Sequence, residues 1–172
     1  YTRVVIVPTA SPIKTLADLK GRTVAYGDQA STSSHLVPRA MIQDAGLVVK
    51  NDYNAVYLGA HDAVARAVEA GKVDAGALSR PIYETLLKGG KVDATKVRIL
   101  AETKPIPNYP MAMQSKLNPE LKAKIRAAFL DIKDADLLKN FRAEGFAATD
   151  DKAYDVLRDT AKVLNLDLAK FQ

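Results

Sequence analysis

The stretch AYGDQASTSSHLVPRA, residues 25–40, decides how this chain is read. The residues leading into it, RTVAY (22–26), are apolar and β-branched like a buried strand, and Gly27-Asp28 is a turn signal that closes it. Beyond the turn the pattern predicts a helix running to about Ala45, with Gly46 as its C-terminal stop. A strand that passes through a polar turn into a helix is the repeating unit of α/β architecture. The turn carries four consecutive hydroxyl residues, Ser31, Thr32, Ser33 and Ser34. One hydroxyl is enough to cap a helix, so three remain to be explained. Pro38 removes one intrahelical hydrogen bond, so the regular helix either starts near His35 or kinks at the proline.

Outward from this stretch the same alternation continues. TRVVIVP (2–8) reads as a strand stopped by Pro8, and Thr15 caps a short helix that Gly21 ends. AVYLG (55–59) is a strand, and HDAVARAVEAG (61–71) is a helix with Asp62 as its cap and Gly71 as its stop. KVDAGAL (72–78) is a strand, followed by a helix capped by Ser79 with Pro81 in its first turn and a Gly-Gly exit. KVRILAE (96–102) is the next strand, KPIPNYP (104–110) an extended crossing segment, and MAMQS (111–115) a candidate further strand. From Asn118 the spacing of Leu121, Ile125, Phe129 and Ile132 predicts a helix, with shorter helices after it broken at Gly145 and near Asn165. The expected fold is therefore α/β, a mainly parallel sheet with right-handed crossovers flanked by helices, plus C-terminal helices.

Composition sets the outer limits. The 172 residues, 48% hydrophobic, can bury a real core, and no apolar run of about 18 residues suggests a membrane span. Without cysteine there are neither disulfides nor thiolate metal sites. The formal charge of +5 is spread among both signs rather than gathered into a basic stripe, so no nucleic-acid face is expected, and the mild surplus suits an anionic ligand. Tyr1 opens directly into VVIV, as expected of a mature or trimmed chain.

In parallel α/β sheets, ligands bind beyond the carboxyl ends of strands, where helices begin. That points to YGDQASTSS and to YLGAHDA. A helix N-terminus offers unpaired N–H groups and the positive end of the helix dipole, and hydroxyls there can wrap a tetrahedral oxyanion. The plainer alternative, one cap and several solvated hydroxyls, stays open at this level. His61 could donate to such an anion or stand solvated, and His35 reads as packed or exposed rather than liganding. With two histidines and no ExxH spacing, no zinc site is expected. A Ser–His hydrolase finds acids in Asp28 and Asp74 but lacks a GxSxG elbow, and neither nucleotide-binding fingerprint is present.

ADLKGRTVAYGDQASTSSHLVPRAMI (17–42), GAHDAVARAVEAGKVDAGAL (59–78) and PIPNYPMAM (105–113) together resemble the phosphate/phosphite/phosphonate-binding components of ABC importers, the phosphonate-binding periplasmic protein family. LNPELKAKIRAAFLDI and GFAATDDKAYDVLR extend the likeness towards the C-terminus. The resemblance implies a type II periplasmic binding-protein lobe, with a first lobe that would precede Tyr1 missing. It divides the chain into a crossing or hinge segment (1–14), the second ligand-binding lobe (15–104), a return crossing (105–117) and C-terminal helices (118–172) that pack on lobe one.

It implies a small phosphorus oxyanion held by Ser31, Thr32, Ser33 and His61, without catalysis or cofactor, and handed to a membrane permease outside the cytoplasm. Where relatives that bind aminoalkylphosphonates carry acids, this chain has Pro81 and Tyr109. That favours phosphate, phosphite or a simple alkylphosphonate, with Tyr109 a candidate contact. A hinge aromatic of the family falls near Tyr1-Thr2, so Tyr1 is a further candidate. A periplasmic sensor domain is the alternative from another class, the hydrolase a distant third. Apolar faces left by the missing lobe imply self-association.

Overall fold

The structure, a computed structural model, describes residues 1–141 and 143–167. The strands are β1 (Arg3–Pro8), β2 (Thr23–Tyr26), β3 (Asn54–Tyr57), β4 (Ala75–Ser79) and β5 (Val97–Glu102). The helices are α1 (Val37–Asp44), α2 (His61–Glu69), α3 (Arg80–Lys88), α4 (Pro119–Leu130), α5 (Ala135–Asn140) and α6 (Asp155–Val163). The chain forms two compact units, Tyr1–Ile106 with the segment from Asp155, and Pro107–Tyr154.

In the first unit the strands lie in the order β3-β2-β4-β1-β5. β2 is parallel to β3 and to β4, while β1 runs antiparallel to both β4 and β5. Four strands thus point one way and β1 the other: the sheet is mainly parallel, with one reversed strand that sequence periodicity did not reveal. Alternation along β1 explains why both faces are covered, since successive side chains point to opposite sides. Val5 and Val7 join Val24, Tyr26, Ala77 and Ile42 of α1 in one core. Val4 and Ile6 join Leu78, Val68 of α2 and Leu86 of α3 in the other. Gly76 is required where α2 crosses β4, because a Cβ there would stand 2.6 Å from Val64 and 2.7 Å from Val68.

Thr15 starts a 3-10 turn (Leu16–Leu19) through a capping box with Asp18, and Gly21 adopts φ 73°. α6 packs on α1, where Gln43 Nε2 donates to the Val163 carbonyl at 2.6 Å. Part of the segment expected against a preceding lobe is therefore in contact with this one. The entering and returning chains pair: Ile106 N–H donates to the Tyr1 carbonyl at 3.1 Å and Thr103 N–H to that of Arg3 at 2.9 Å.

In the second unit Asn118 caps α4, its Oδ1 accepting from Glu120 and Leu121 N–H. Phe146 contacts Phe129 and Phe141 edge-on at 5.1 and 5.3 Å. Residues 111–115 form no strand, contrary to expectation; they offer an apolar alternation but have no strand to pair with.

Candidate functional site

The carboxyl ends of β3, β2 and β4 lie side by side, and each delivers one part of the candidate site. The β2–β3 pairing extends past the strands, with Leu58 N–H donating to Tyr26 O at 2.9 Å and Gly59 N–H to Gly27 O at 3.2 Å. The hydroxyl turn after β2 and the His61 turn after β3 therefore run together along one edge.

Pro38 shapes the hydroxyl turn. Having no N–H, it leaves the Ser34 carbonyl without its helical donor, and Gly27 N–H fills the place at 3.4 Å. The turn opens to π-type geometry over Thr32–Leu36: Leu36 N–H donates to Ser31 O at 3.0 Å and Val37 N–H to Thr32 O. α1 follows with Pro38 in its first turn, so the proline divides a wide turn from a regular helix instead of kinking one. Ser31 is the cap, its Oγ accepting from Ser34 N–H at 3.1 Å. Ser34 is buried against Gly27, where a Cβ would come within 2.4 Å of its Oγ.

Two of the four hydroxyls are thus structural. Thr32 is exposed and Ser33 half-buried, and Ser33 Oγ lies 3.5 Å from Ser31 Oγ. Among the described residues, the first-turn N–H groups of Thr32 and Ser33 have no protein acceptor. The hydroxyl proton of Ser31 remains available, because its cap role uses only a lone pair.

His61 is the first residue of α2, and Ala60, extended at φ −136°, is the cap in place of the expected Asp62. Asp62 pairs instead with Arg66 at 3.7 Å. The backbone N–H of Ser79, at the end of β4, donates to His61 Nδ1 at 3.2 Å. A ring nitrogen that accepts carries no proton, so the neutral imidazole is the Nε2–H tautomer. Burial holds its pKa below the ordinary value, assisted by the charge of Arg3 and opposed by Asp62. His61 is thus an oriented, uncharged donor.

Sequence reasoning did not reach three further features near this edge. Ser79 orients His61 through its backbone, which leaves no side-chain signal. Arg3 lies opposite Ser79 in the β1–β4 register, is buried, and stacks on the Tyr1 ring at 4.1 Å while its Nη1 donates to Tyr1 O at 2.9 Å. The reversed direction of β1 brings it there, and that direction is not legible in the pattern. His35, which the sequence reads as packed or exposed rather than liganding, is buried and hydrogen-bonded at both nitrogens, to Gln29 O at 2.7 Å and Tyr57 Oη at 3.1 Å.

Tyr1 is partly exposed and its ammonium donates to Ile106 O at 2.9 Å, so it belongs to the paired crossing chains. Tyr109 is exposed and belongs to the second unit. Pro81 lies in the first turn of α3, where Arg80 holds both nearby carboxylates, Glu84 at 2.9 Å and Glu102. Asp74 and Asp28 serve as turn and strand-end residues, accepting from Thr23 N–H and Ala30 N–H, each at 2.8 Å. Among the described residues no group of His, Asp or Glu could hold a metal ion.

A doubly covered sheet with backbone and hydroxyl donors at the carboxyl ends of its central strands fits a lobe of the periplasmic binding-protein class. Residues 1–154 match the family of phosphonate-binding periplasmic substrate-binding proteins of ABC transporters, and the chain belongs to that family. It is 30% identical over 168 residues to a probable ABC transporter phosphite-binding protein, PhnD1, of Prochlorococcus marinus, covering 90% of this chain and 56% of that protein. A phosphate-import protein, PhnD, of Mycolicibacterium smegmatis is 28% identical over 159 residues, 84% of this chain and 49% of its own. The solved structure of Prochlorococcus marinus PhnD1 with methylphosphonate superposes with a TM-score of 0.74 at 26% identity, over 95% of this chain and 66% of that one. The chain thus spans about half the length of the curated relatives it matches.

Proposed function

We propose that this chain is the second ligand-binding lobe of an ABC-importer binding protein that captures a small phosphorus oxyanion outside the cytoplasm and passes it to a membrane permease without altering it. One observation carries the reading: backbone N–H groups without protein acceptors at Thr32 and Ser33, on the turn after β2, and an Nε2–H donor at His61, on the adjoining turn after β3, form a donor-rich edge. Such donors fit an oxyanion, and hydrogen bonds to a charged group are worth about 1.5–3 kcal/mol each. The names of the relatives, phosphite-binding and phosphate-import, support the same ligand chemistry.

Phosphite, phosphate and simple alkylphosphonates are preferred over aminoalkylphosphonates. Pro81 and Tyr109 place no carboxylate where an ammonium group would need one, and Glu84 and Glu102 are taken by Arg80. Nucleophilic chemistry finds no support, because His61 spends Nδ1 on a backbone amide instead of activating a serine.

Calorimetric titration with phosphite, phosphate, methylphosphonate and 2-aminoethylphosphonate tests this. Saturable binding of at least one of the first three is expected, weakened about tenfold or more by Ser33→Ala. Binding of the amino compound alone would overturn the ligand preference. Equal affinities for the wild type and Ser33→Ala would remove the hydroxyl turn from the site.

A further inference from the structure

His35 has no part in the donor edge, yet it is 3% exposed, faces both Tyr26 and Tyr57, and reaches the middle of the hydroxyl loop. We propose that His35 is a positioning residue for the oxyanion loop: held by Tyr57, its Nδ1–H anchors the Gln29 carbonyl inward and so keeps the donors of Thr32 and Ser33 facing the ligand. The inference rests on the oxyanion reading above.

The proton assignments follow from the partners. A carbonyl oxygen only accepts, so the 2.7 Å contact with Gln29 puts the proton on Nδ1. The neutral ring then has a lone pair on Nε2, which accepts from the Tyr57 hydroxyl at 3.1 Å. Burial favours this neutral form, with Arg39 acting in the same direction and the Gln29 bond and Asp28 opposing it. Tyr57 is itself fixed: it pairs with Tyr26 across β2 and β3, and the two rings stack at 5.9 Å. A line of contacts therefore runs from the sheet through Tyr57 and His35 to Gln29.

Its mechanical importance lies in the loop's other bonds. Between Asp28 and Ser31 they are internal: Ala30 N–H donates to Asp28 Oδ1 at 2.8 Å and Ser31 N–H to Asp28 O at 3.1 Å. Ser31 is held from the helix side by the N–H groups of Ser34, His35 and Leu36, so among the described residues the bond from His35 alone ties Gln29 and Ala30 to the core. A released Gln29 carbonyl would be free to turn its negative end towards the anion, and the Ser31 cap that follows would lose its fixed approach.

Asn and Gln at position 35 separate positioning from simple packing, because the Asn amide nitrogen reproduces Nδ1–H and the Gln amide nitrogen stands nearer Nε2. Phosphite and methylphosphonate are titrated into the full chain, its Ser33→Ala control, His35→Asn, His35→Gln and Tyr57→Phe, with amide exchange of residues 30–33 followed in the absence of ligand. One lost neutral hydrogen bond corresponds to about two- to tenfold in affinity. His35→Asn is expected to stay within about twofold of wild type, His35→Gln to lose about tenfold, and Tyr57→Phe about threefold, with faster exchange at residues 30–33 in the latter two.

Equal affinities for His35→Asn and His35→Gln, or unchanged exchange in His35→Gln, would overturn the positioning role even where Ser33→Ala upholds the oxyanion site. If the wild-type chain binds neither probe, the oxyanion reading falls. Exchange at residues 30–33 then decides by itself whether His35 holds the loop.

Discussion

A serine in the first turn of a helix can cap the backbone, pack, or stay open to a ligand, and residues 31–34 differ in which they do. Ser31 caps and Ser34 packs under Gly27, which leaves Thr32 and Ser33 to face outward. The excess of hydroxyls was legible in the sequence; their division was not, because it depends on a contact with a glycine in the preceding turn. His61 was equally legible as a residue of a strand-to-helix junction. Its tautomer was not, since the group that sets it is a backbone amide on another strand. The tautomer has a direct consequence. Gln can present an N–H near the Nε2 position and Asn cannot, so His61→Gln is expected to retain more oxyanion affinity than His61→Asn. Calorimetry on the two variants checks the order, and the reverse order would show that Nδ1 faces the ligand.

At the scale of elements, periodicity located every strand of the sheet and the helices α1 to α3, each with a buried face or a clear stop signal, while α4, which has no buried residue, was found from its Asn118 cap and the spacing of its apolar residues. It missed features created by elements meeting. The π-type turn arises because Pro38 frees a carbonyl that Gly27 then claims, and the direction of β1 is set by its neighbours. The false strand at residues 111–115 shows the converse, an apolar pattern without a partner. The close approach of Gly27 and Ser34 yields a stability prediction. Gly27→Ala would force its Cβ against Ser34 Oγ and Cβ, at 2.4 and 2.8 Å, and overpacking of this kind costs about 1–3 kcal/mol. Denaturant unfolding should show a lower midpoint, with oxyanion affinity reduced as the turn shifts. An unchanged midpoint would mean that the turn yields freely and is not the rigid frame described.

For the whole molecule, the two histidines link stability to pH. Burial lowers both pKa values in the folded chain from the ordinary 6.5. As pH falls below that value the unfolded chain takes up protons first, so stability is fully present above about 6.5 and declines towards the folded values. Asp18, Asp93 and Glu102 are also depressed by their hydrogen bonds, and their contribution is lost lower, as pH falls through the carboxylate range. Urea midpoints at about pH 7.5 and pH 5.5 should therefore differ in favour of the higher pH, with the gap narrowed in His61→Gln. A higher midpoint at the lower pH would contradict the neutral, buried state of both rings.

The donor edge itself can be observed directly by nuclear magnetic resonance, which detects weak binding to a single lobe as readily as tight binding. Methylphosphonate titrated into the isotope-labelled chain should shift the amide signals of Thr32 and Ser33 and the Nε2–H signal of His61 together, along one saturable curve. Signals of the second unit should change little. Shifts gathered elsewhere, or a His61 signal that stays still while Thr32 and Ser33 move, would contradict a phosphorus-oxyanion site built from the two turns.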